Sequence, residues 1–172
     1  MTLQLKILGS DLDQMIVDLR RPHAFAAERV GFLYAKPWFN SGHLGFIAYD
    51  YVPVCDDYYL ADSSVGAMIS GSAFRTVMQR LLEEGASVFH VHLHEHVGPP
   101  SFSRLDLVEN ARFVPSFFNA RADFPHGALV LSLDSAAGLC WTKPDSTPKT
   151  IVRFAVPGHP FIIWRDRSHG LY

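Results

Sequence analysis

The sequence predicts a single domain of the α/β (α+β) class, with a central mixed β-sheet flanked by helices. Short stretches of strand length alternate apolar and polar residues, whereas two longer segments repeat apolar residues every three or four positions. The 172 residues suffice for one buried core and not for two ordinary domains, so residues 1–172 should form one unit. The chain is 48% apolar and 19% charged, which is typical of a packed protein.

The N-terminal segment predicts a strand followed by a helix. Leu3, Leu5 and Ile7 alternate with polar neighbours, as in a half-buried strand. Ser10 can then cap an amphipathic helix, and Pro22 ends it.

The next segments predict a hairpin and a second helix. Residues 30–35 and 43–54 are rich in apolar and aromatic residues and are separated by turn-forming residues. Ser70 or Ser72 can cap a helix with one apolar stripe, and Gly85 is a natural end for it.

A strand over residues 87–94 carries three histidines. Because successive strand side chains point to opposite faces, His90, His92 and His94 should share one face. Ser103 can cap a third helix after the loop that follows. Further strands are predicted over residues 128–133, 138–142 and 150–156.

The histidine strand and the start of the third helix predict a metal site. His92 and His94 offer two imidazoles, and Asp106 offers a carboxylate three residues after Ser103. Three such ligands leave one position open on a tetrahedral ion, as catalytic zinc requires for its water. The competing interpretation is a set of ordinary surface or core histidines beside a helix cap. A capping box would, however, prefer Glu or Gln where Asp106 stands.

These motifs resemble the JAMM motif of the Mov34/MPN/PAD-1 family, also known as MPN+ or JAB-type. There, H-x-H is followed by a short loop and S-x-x-D, and a glutamate lies upstream. Glu28 begins E-R-V-G-F-L, which is similar to the family's E-x-x-G-x-L at the start of its second strand. The order of elements is similar over roughly residues 3–156. The resemblance implies the three-layer, cytidine-deaminase-like MPN fold.

The resemblance also implies a zinc-dependent isopeptidase or peptidase that cleaves after the C-terminus of a ubiquitin-like modifier. One Zn²⁺ per chain would be held by His92, His94 and Asp106. Glu28 would be the general base that passes a proton from water to the leaving amine. Ser103 would hydrogen-bond the oxyanion. The implied partners are a ubiquitin-like protein or its conjugates and the activating or conjugating enzymes of its pathway, as for the stand-alone bacterial deubiquitinase-like members.

The sequence leaves the histidine register open. Fourteen positions separate His92 from Asp106 and twelve separate His94 from Asp106, and the family's usual spacing falls between them. Choosing His92 and His94 places the extra residue in a loop containing Gly98, where insertions are easily absorbed. The pair His94 and His96 is the alternative.

Three other functions share these residues. A catalytically inactive MPN scaffold would bind proteins through the same fold, but such scaffolds usually lack one or more ligands. A JAMM hydrolase acting on small adducts of a sulfur-carrier protein would use the same ligands. A RadC-like protein linked to DNA shares both motifs, but the net charge of -2 and the absence of basic runs argue against nucleic acid.

Composition also bears on location and on cysteine chemistry. The N-terminus lacks the pattern of a signal peptide, and no apolar run approaches the ~20 residues that span a bilayer, so we expect a cytoplasmic protein without membrane contact. Cys55 and Cys140 form no CxxC pair, which excludes a thiolate zinc ribbon; both should be buried.

Two surfaces could receive the modifier. Its extended tail could add as a strand beside the hairpin of residues 30–54. Tyr58, Tyr59 and the aromatic stretch of residues 113–124 could shape a binding surface, although such residues are more often core or rim.

Overall fold

Strands and helices succeed one another in the predicted order in a computed structural model that describes residues 1–24, 26–62, 66–158 and 160–165. Short 3₁₀ turns at Asp56–Tyr58 and Val114–Asn119 complete the secondary structure of this part of the chain. The elements are β1 Thr2–Lys6, α1 Gly9–Leu19, β2 Val30–Asn40, β3 His43–Pro53, α2 Gly71–Glu83, β4 Ser87–Leu93, α3 Arg104–Phe113, β5 His126–Leu131, β6 Ala136–Trp141, β7 Lys149–Thr150, β8 Arg153–Val156 and β9 Ile162–Arg165.

The described strands form one mixed sheet in the order β7-β6-β5-β4-β2-β3-β1-β8-β9. Strand β1 is parallel to both neighbours, and β4 is parallel to β5. The other pairs are antiparallel. The prediction of a mixed sheet with helices is therefore confirmed at the level of the α/β (α+β) class.

Apolar side chains cover both faces of the sheet. On one face, Met15 of α1 packs in a cluster with Phe46 of β3. On the other, Val77 and Leu81 of α2 pack in a cluster with Phe117. Each such side chain contributes roughly 1.5–3 kcal/mol when fully buried, so these stripes determine which side of each helix meets the sheet.

The β2–β3 hairpin closes through a two-residue turn with positive φ at both positions, Ser41 (42°) and Gly42 (83°). Such turns match the right-handed twist of the paired strands. Pro37 lies inside β2 because the pairing of β2 with β4 ends at Ala35, so its missing N–H faces no partner on that side.

The sheet curls so that strands far apart in its order approach one another. Ile151 and Val152 are adjacent in the chain, yet Ile151 donates its N–H to Gly138 of β6 and Val152 donates to Leu3 of β1. Two residues span only about 7 Å, so β6 and β1 must face each other across the curl. This crossing divides the predicted strand over residues 150–156 into β7 and β8.

Several local predictions were wrong. Leu8, not Ser10, is the N-cap residue of α1, and Ser10 lies in its first turn. Cys55 is exposed, whereas Cys140 is buried as predicted. Tyr59 is buried, and its hydroxyl exchanges hydrogen bonds with the Val30 backbone, so Tyr59 supports the strand and cannot form an exposed surface.

The hairpin also lies inside the sheet. Strand β2 pairs with β4 over Val30–Ala35, and β3 pairs with β1 over His43–Ile47. A modifier tail cannot add alongside those stretches, so the predicted docking edge is wrong there. Among the described helices, none has both the length and the apolar character needed to cross a bilayer.

Candidate metal centre

His90 and His92 of β4, with His94 just past its end, follow the predicted alternation. Phe89 and Val91 lie in one core cluster, so His90 and His92 point to the opposite face. The ladder continues past the end of β4, because His94 donates its N–H to Leu131 of β5 at 2.9 Å. Two imidazoles, His92 and His94, are thus fixed at the end of a central strand.

Strand register brings Glu28 to the same place. Val30 pairs with His92 in the antiparallel β2–β4 ladder, so Glu28, two residues before Val30, lies opposite His94. The carboxylate of Glu28 and one ring nitrogen from each of His92 and His94 lie within 4.8 Å of one another. Glu28 itself stands just outside the strand, in a bend, and not at the strand start that the resemblance implied.

Asp106 reaches the histidines from the first turn of α3. Its Oδ2 is 3.5 Å from His92 Nε2 and 3.7 Å from His94 Nε2. These distances are too long for hydrogen bonds. They are close to the roughly 3.3 Å that separates two ligand atoms each about 2.0–2.1 Å from one tetrahedral zinc ion.

His92 shows the strongest sign of a missing ligand. The residue is 2% exposed, and neither ring nitrogen has a hydrogen-bond partner in the described chain. A buried polar atom without a partner costs about 1–3 kcal/mol. A metal ion on Nε2 would remove one of these two deficits, so the residues present fit the implied zinc ion.

The electrostatics of the site favour a charged Asp106 carboxylate and a neutral His90 ring. Burial opposes ionisation of Asp106, but the His92 ring and the Ser103 hydroxyl and backbone N–H outweigh it, so its pKa lies well below the usual range. Burial, reinforced by His92, lowers the pKa of His90 to about 3 against the opposing effects of Asp106 and Asn110.

Ser103 and Asp106 form a complete capping box. The Ser103 hydroxyl accepts from the Asp106 N–H at 3.1 Å, and Asp106 Oδ2 accepts from the Ser103 N–H at 2.7 Å. The expectation that Asp would not serve in such a box was therefore wrong. Ser103 is an exposed residue, and the role of its hydroxyl toward an oxyanion stays a prediction.

His96 is placed differently from the other histidines. Its ring is exposed, and Nδ1 lies 3.1 Å from the carbonyl oxygen of the next residue, Val97. The group that brings Glu28 together with two histidines contains His92 and His94, and His96 is not part of it.

Two cavities meet at Glu28. One, of about 250 Å³, reaches from His92 and Asp106 into an apolar interior between α2 and α3. The other, of about 570 Å³, is more open and is lined by His94 and the loop around Arg21. The candidate metal position therefore has space on both sides.

The sequence analysis missed two residues that hold Glu28. The Gly66 carbonyl accepts the Glu28 N–H at 2.9 Å, and a Cβ on Gly66 would lie 2.6 Å from Glu28 Oε2. Arg29 is buried and donates to the carbonyls of Arg21 and Pro22 and to Asp56. The sequence could not indicate Gly66, because its contact with Glu28 joins residues far apart in the chain. Arg29 could have been noticed, because a charged residue directly before an apolar strand is unusual.

Comparisons with known proteins add little to this geometry. No protein-family model matches the chain, and no curated protein matches it either. Among solved structures, the Trichoplax adhaerens STIL N-terminal domain is similar with a TM-score of 0.40 and 10% sequence identity. The match covers 80% of this chain and 40% of that one, so the chain spans less than half of that structure's length.

Proposed function

We propose that this chain is a zinc-dependent hydrolase of the JAMM (MPN+) type, cleaving peptide or isopeptide bonds after the C-terminus of a ubiquitin-like modifier. The observation that carries the proposal is buried His92, with both ring nitrogens unpartnered in the described chain, converging with His94, Asp106 and Glu28. The order of strands and helices supports the finer assignment to the three-layer MPN fold.

Each residue has a definite task in this proposal. His92, His94 and Asp106 hold the ion. Zinc held there would lower the pKa of a water molecule and polarise the scissile carbonyl. Glu28 lies within 4.8 Å of the histidine nitrogens, close enough to take a proton from the attacking water and pass it to the leaving amine. Ser103 would donate its hydroxyl hydrogen to the developing oxyanion.

The two cavities would divide the substrate between them. The open cavity beside His94 would receive the modifier tail, because it offers both greater volume and wider access. The smaller cavity beside His92 would receive the residue that leaves. Glu28 lines both cavities and would therefore lie next to the bond that breaks.

Zinc content and turnover together test the proposal. Elemental mass spectrometry of the wild type, His92→Ala and His96→Ala should find about one zinc ion per chain, lost with His92 and kept without His96. Hydrolysis of a ubiquitin-like modifier carrying a short C-terminal extension should follow zinc content. If protein prepared with excess zinc contains none, an inactive scaffold would be favoured. If zinc is lost in His96→Ala and kept in His92→Ala, the metal site would lie two residues further along the chain.

A further inference from the structure

A second polar pair lies beside the candidate metal residues. His90 precedes His92 by two positions and shares its face of β4, and Asn110 follows Asp106 by four positions on α3. Residues four apart lie on one face of a helix, so Asn110 sits one turn along from Asp106. All four residues line the cavity of about 250 Å³.

Each member of this pair keeps one buried polar atom without a hydrogen-bond partner, although the Asn110 side chain also acts on His90. Asn110 is 2% exposed, and its side-chain Nδ2 has no hydrogen-bond partner in the described part of the chain. The Nδ1 atom of His90 is likewise buried and unpartnered there. Native proteins pair nearly all buried polar groups, so two such atoms on residues that line one cavity indicate a ligand group that completes them.

The cavity walls restrict the chemistry of that ligand. Its interior is mainly apolar, so it favours a group with an apolar body. The carboxylates of Glu28, Asp106 and Glu109 outnumber the one cationic side chain on its lining, Arg112, and would repel an anion. A cation would lose its hydration and would meet the donor group of Asn110. The apolar walls are formed by Met68, Ile69, Phe74, Leu105 and Phe113.

We propose that His90 and Asn110 bind the uncharged carboxamide of a glutamine or asparagine side chain next to the scissile bond. The ligand carbonyl would accept from Asn110 Nδ2, and the ligand NH₂ would donate to His90 Nδ1. A cavity of about 250 Å³ is smaller than the roughly 300–1,000 Å³ of most ligand pockets, so it suits one side chain. The role of this carboxamide site in substrate binding rests on the proposed function. The binding of a carboxamide by His90 and Asn110 does not.

Binding of isolated side-chain analogues tests the pair directly. The probes are the N-acetyl, N′-methylamide derivatives of glutamine, glutamate and methionine, titrated into zinc-free and zinc-loaded protein and followed by ¹H–¹⁵N NMR. The glutamine probe should shift the Asn110 side-chain NH₂ signals. The other two should bind at least about tenfold more weakly, because methionine offers neither group and glutamate lacks the NH₂ donor and adds a charge.

Substitution separates a ligand-binding role from a structural one. Asn110→Leu should abolish the preference for glutamine and unfold at an equal or higher temperature, because it removes an unpaired buried group. His90→Phe should weaken binding of the glutamine probe at least about tenfold. Exposed Asn119→Leu is the matched control and should change neither measurement.

The outcomes keep this inference distinct from the proposed function. Equal binding of all three probes, or glutamine preference retained in Asn110→Leu, would overturn the inference. Zinc binding and modifier hydrolysis without glutamine preference would overturn it while leaving the hydrolase standing. Glutamine-selective binding by a chain that takes up no zinc even when zinc is supplied in excess would support the subsite and reject the hydrolase.

Discussion

At the scale of single residues, Asp106 combines two tasks on one oxygen atom. Its Oδ2 accepts the Ser103 N–H and also faces the Nε2 atoms of His92 and His94. The helix cap therefore fixes the carboxylate before any ion binds. Preorganised ligands of this kind lose little freedom when an ion arrives.

Glu28→Gln should separate zinc binding from turnover. The substitution removes the base and leaves the proposed ligands in place, so zinc content should stay unchanged while turnover falls about 10²–10⁴-fold. Asp106→Ala should lose both. Zinc analysis beside kinetics checks the pair, and a fully active Glu28→Gln enzyme would remove Glu28 from its assigned role.

Gly66→Ala should act on Glu28 without disturbing the fold. The added Cβ would lie 2.6 Å from Glu28 Oε2, and the flexible carboxylate would move away. We expect retained zinc, a change in unfolding free energy within about 0.5 kcal/mol, and turnover reduced about 10²-fold. Gly71→Ala is the matched control, because a Cβ at Gly71 meets no atom within 4 Å. Wild-type turnover in Gly66→Ala would show that this contact does not position Glu28.

At the scale of elements, His126 joins the starts of β4 and β5. Its Nδ1 accepts the Val88 N–H at 3.2 Å, and its Nε2 donates to the Arg121 carbonyl at 2.9 Å. Only the neutral ring can serve in this way, because the protonated ring has no acceptor. Burial lowers the pKa of His126 to about 4.

This strand contact should make stability depend on pH. The folded-state pKa lies below the ordinary value of 6.5, so the contribution is complete above pH 6.5 and is lost as pH falls to about 4. The loss should be about 3 kcal/mol. Urea unfolding of zinc-free protein should show a smaller pH-dependent loss in His126→Gln, with exposed His43→Gln as the control. Identical pH profiles for wild type and His126→Gln would contradict this assignment.

Local sequence patterns predicted some residues of the candidate site and not others. Strict alternation predicted the shared face of His90 and His92, because a strand's side-chain period is local. Ser103 was recognisable as an N-cap for the same reason. Gly66 and Asn110 were not identified as site residues, because their importance comes from atoms that meet only after the sheet and helices pack.

At the scale of the whole molecule, sequence order predicted the elements and not the curl of the sheet. Residues 150–156 read as one apolar strand, yet pairing splits them between β6 and β1. No local pattern records which distant backbone groups a strand will meet. The alternation of β9, Ile162–Arg165, was missed for a related reason, since its only described partner is β8.

The crossing at Ile151 and Val152 also has a kinetic consequence. It joins β1 near the N-terminus to β6 across more than 130 residues of chain. Such contacts form late, because closing a long loop costs entropy before the native contacts can compensate for it. Ile151→Ala should cost about 2–5 kcal/mol, since its side chain is fully buried. We expect stopped-flow urea jumps to place most of that loss in faster unfolding, with the refolding rate nearly unchanged. A mainly slower refolding rate would instead put the crossing in the folding nucleus. If the loss lies in faster unfolding, the crossing at Ile151 and Val152 would be the first part of the native protein to open, ahead of the strand that carries His90 and His92.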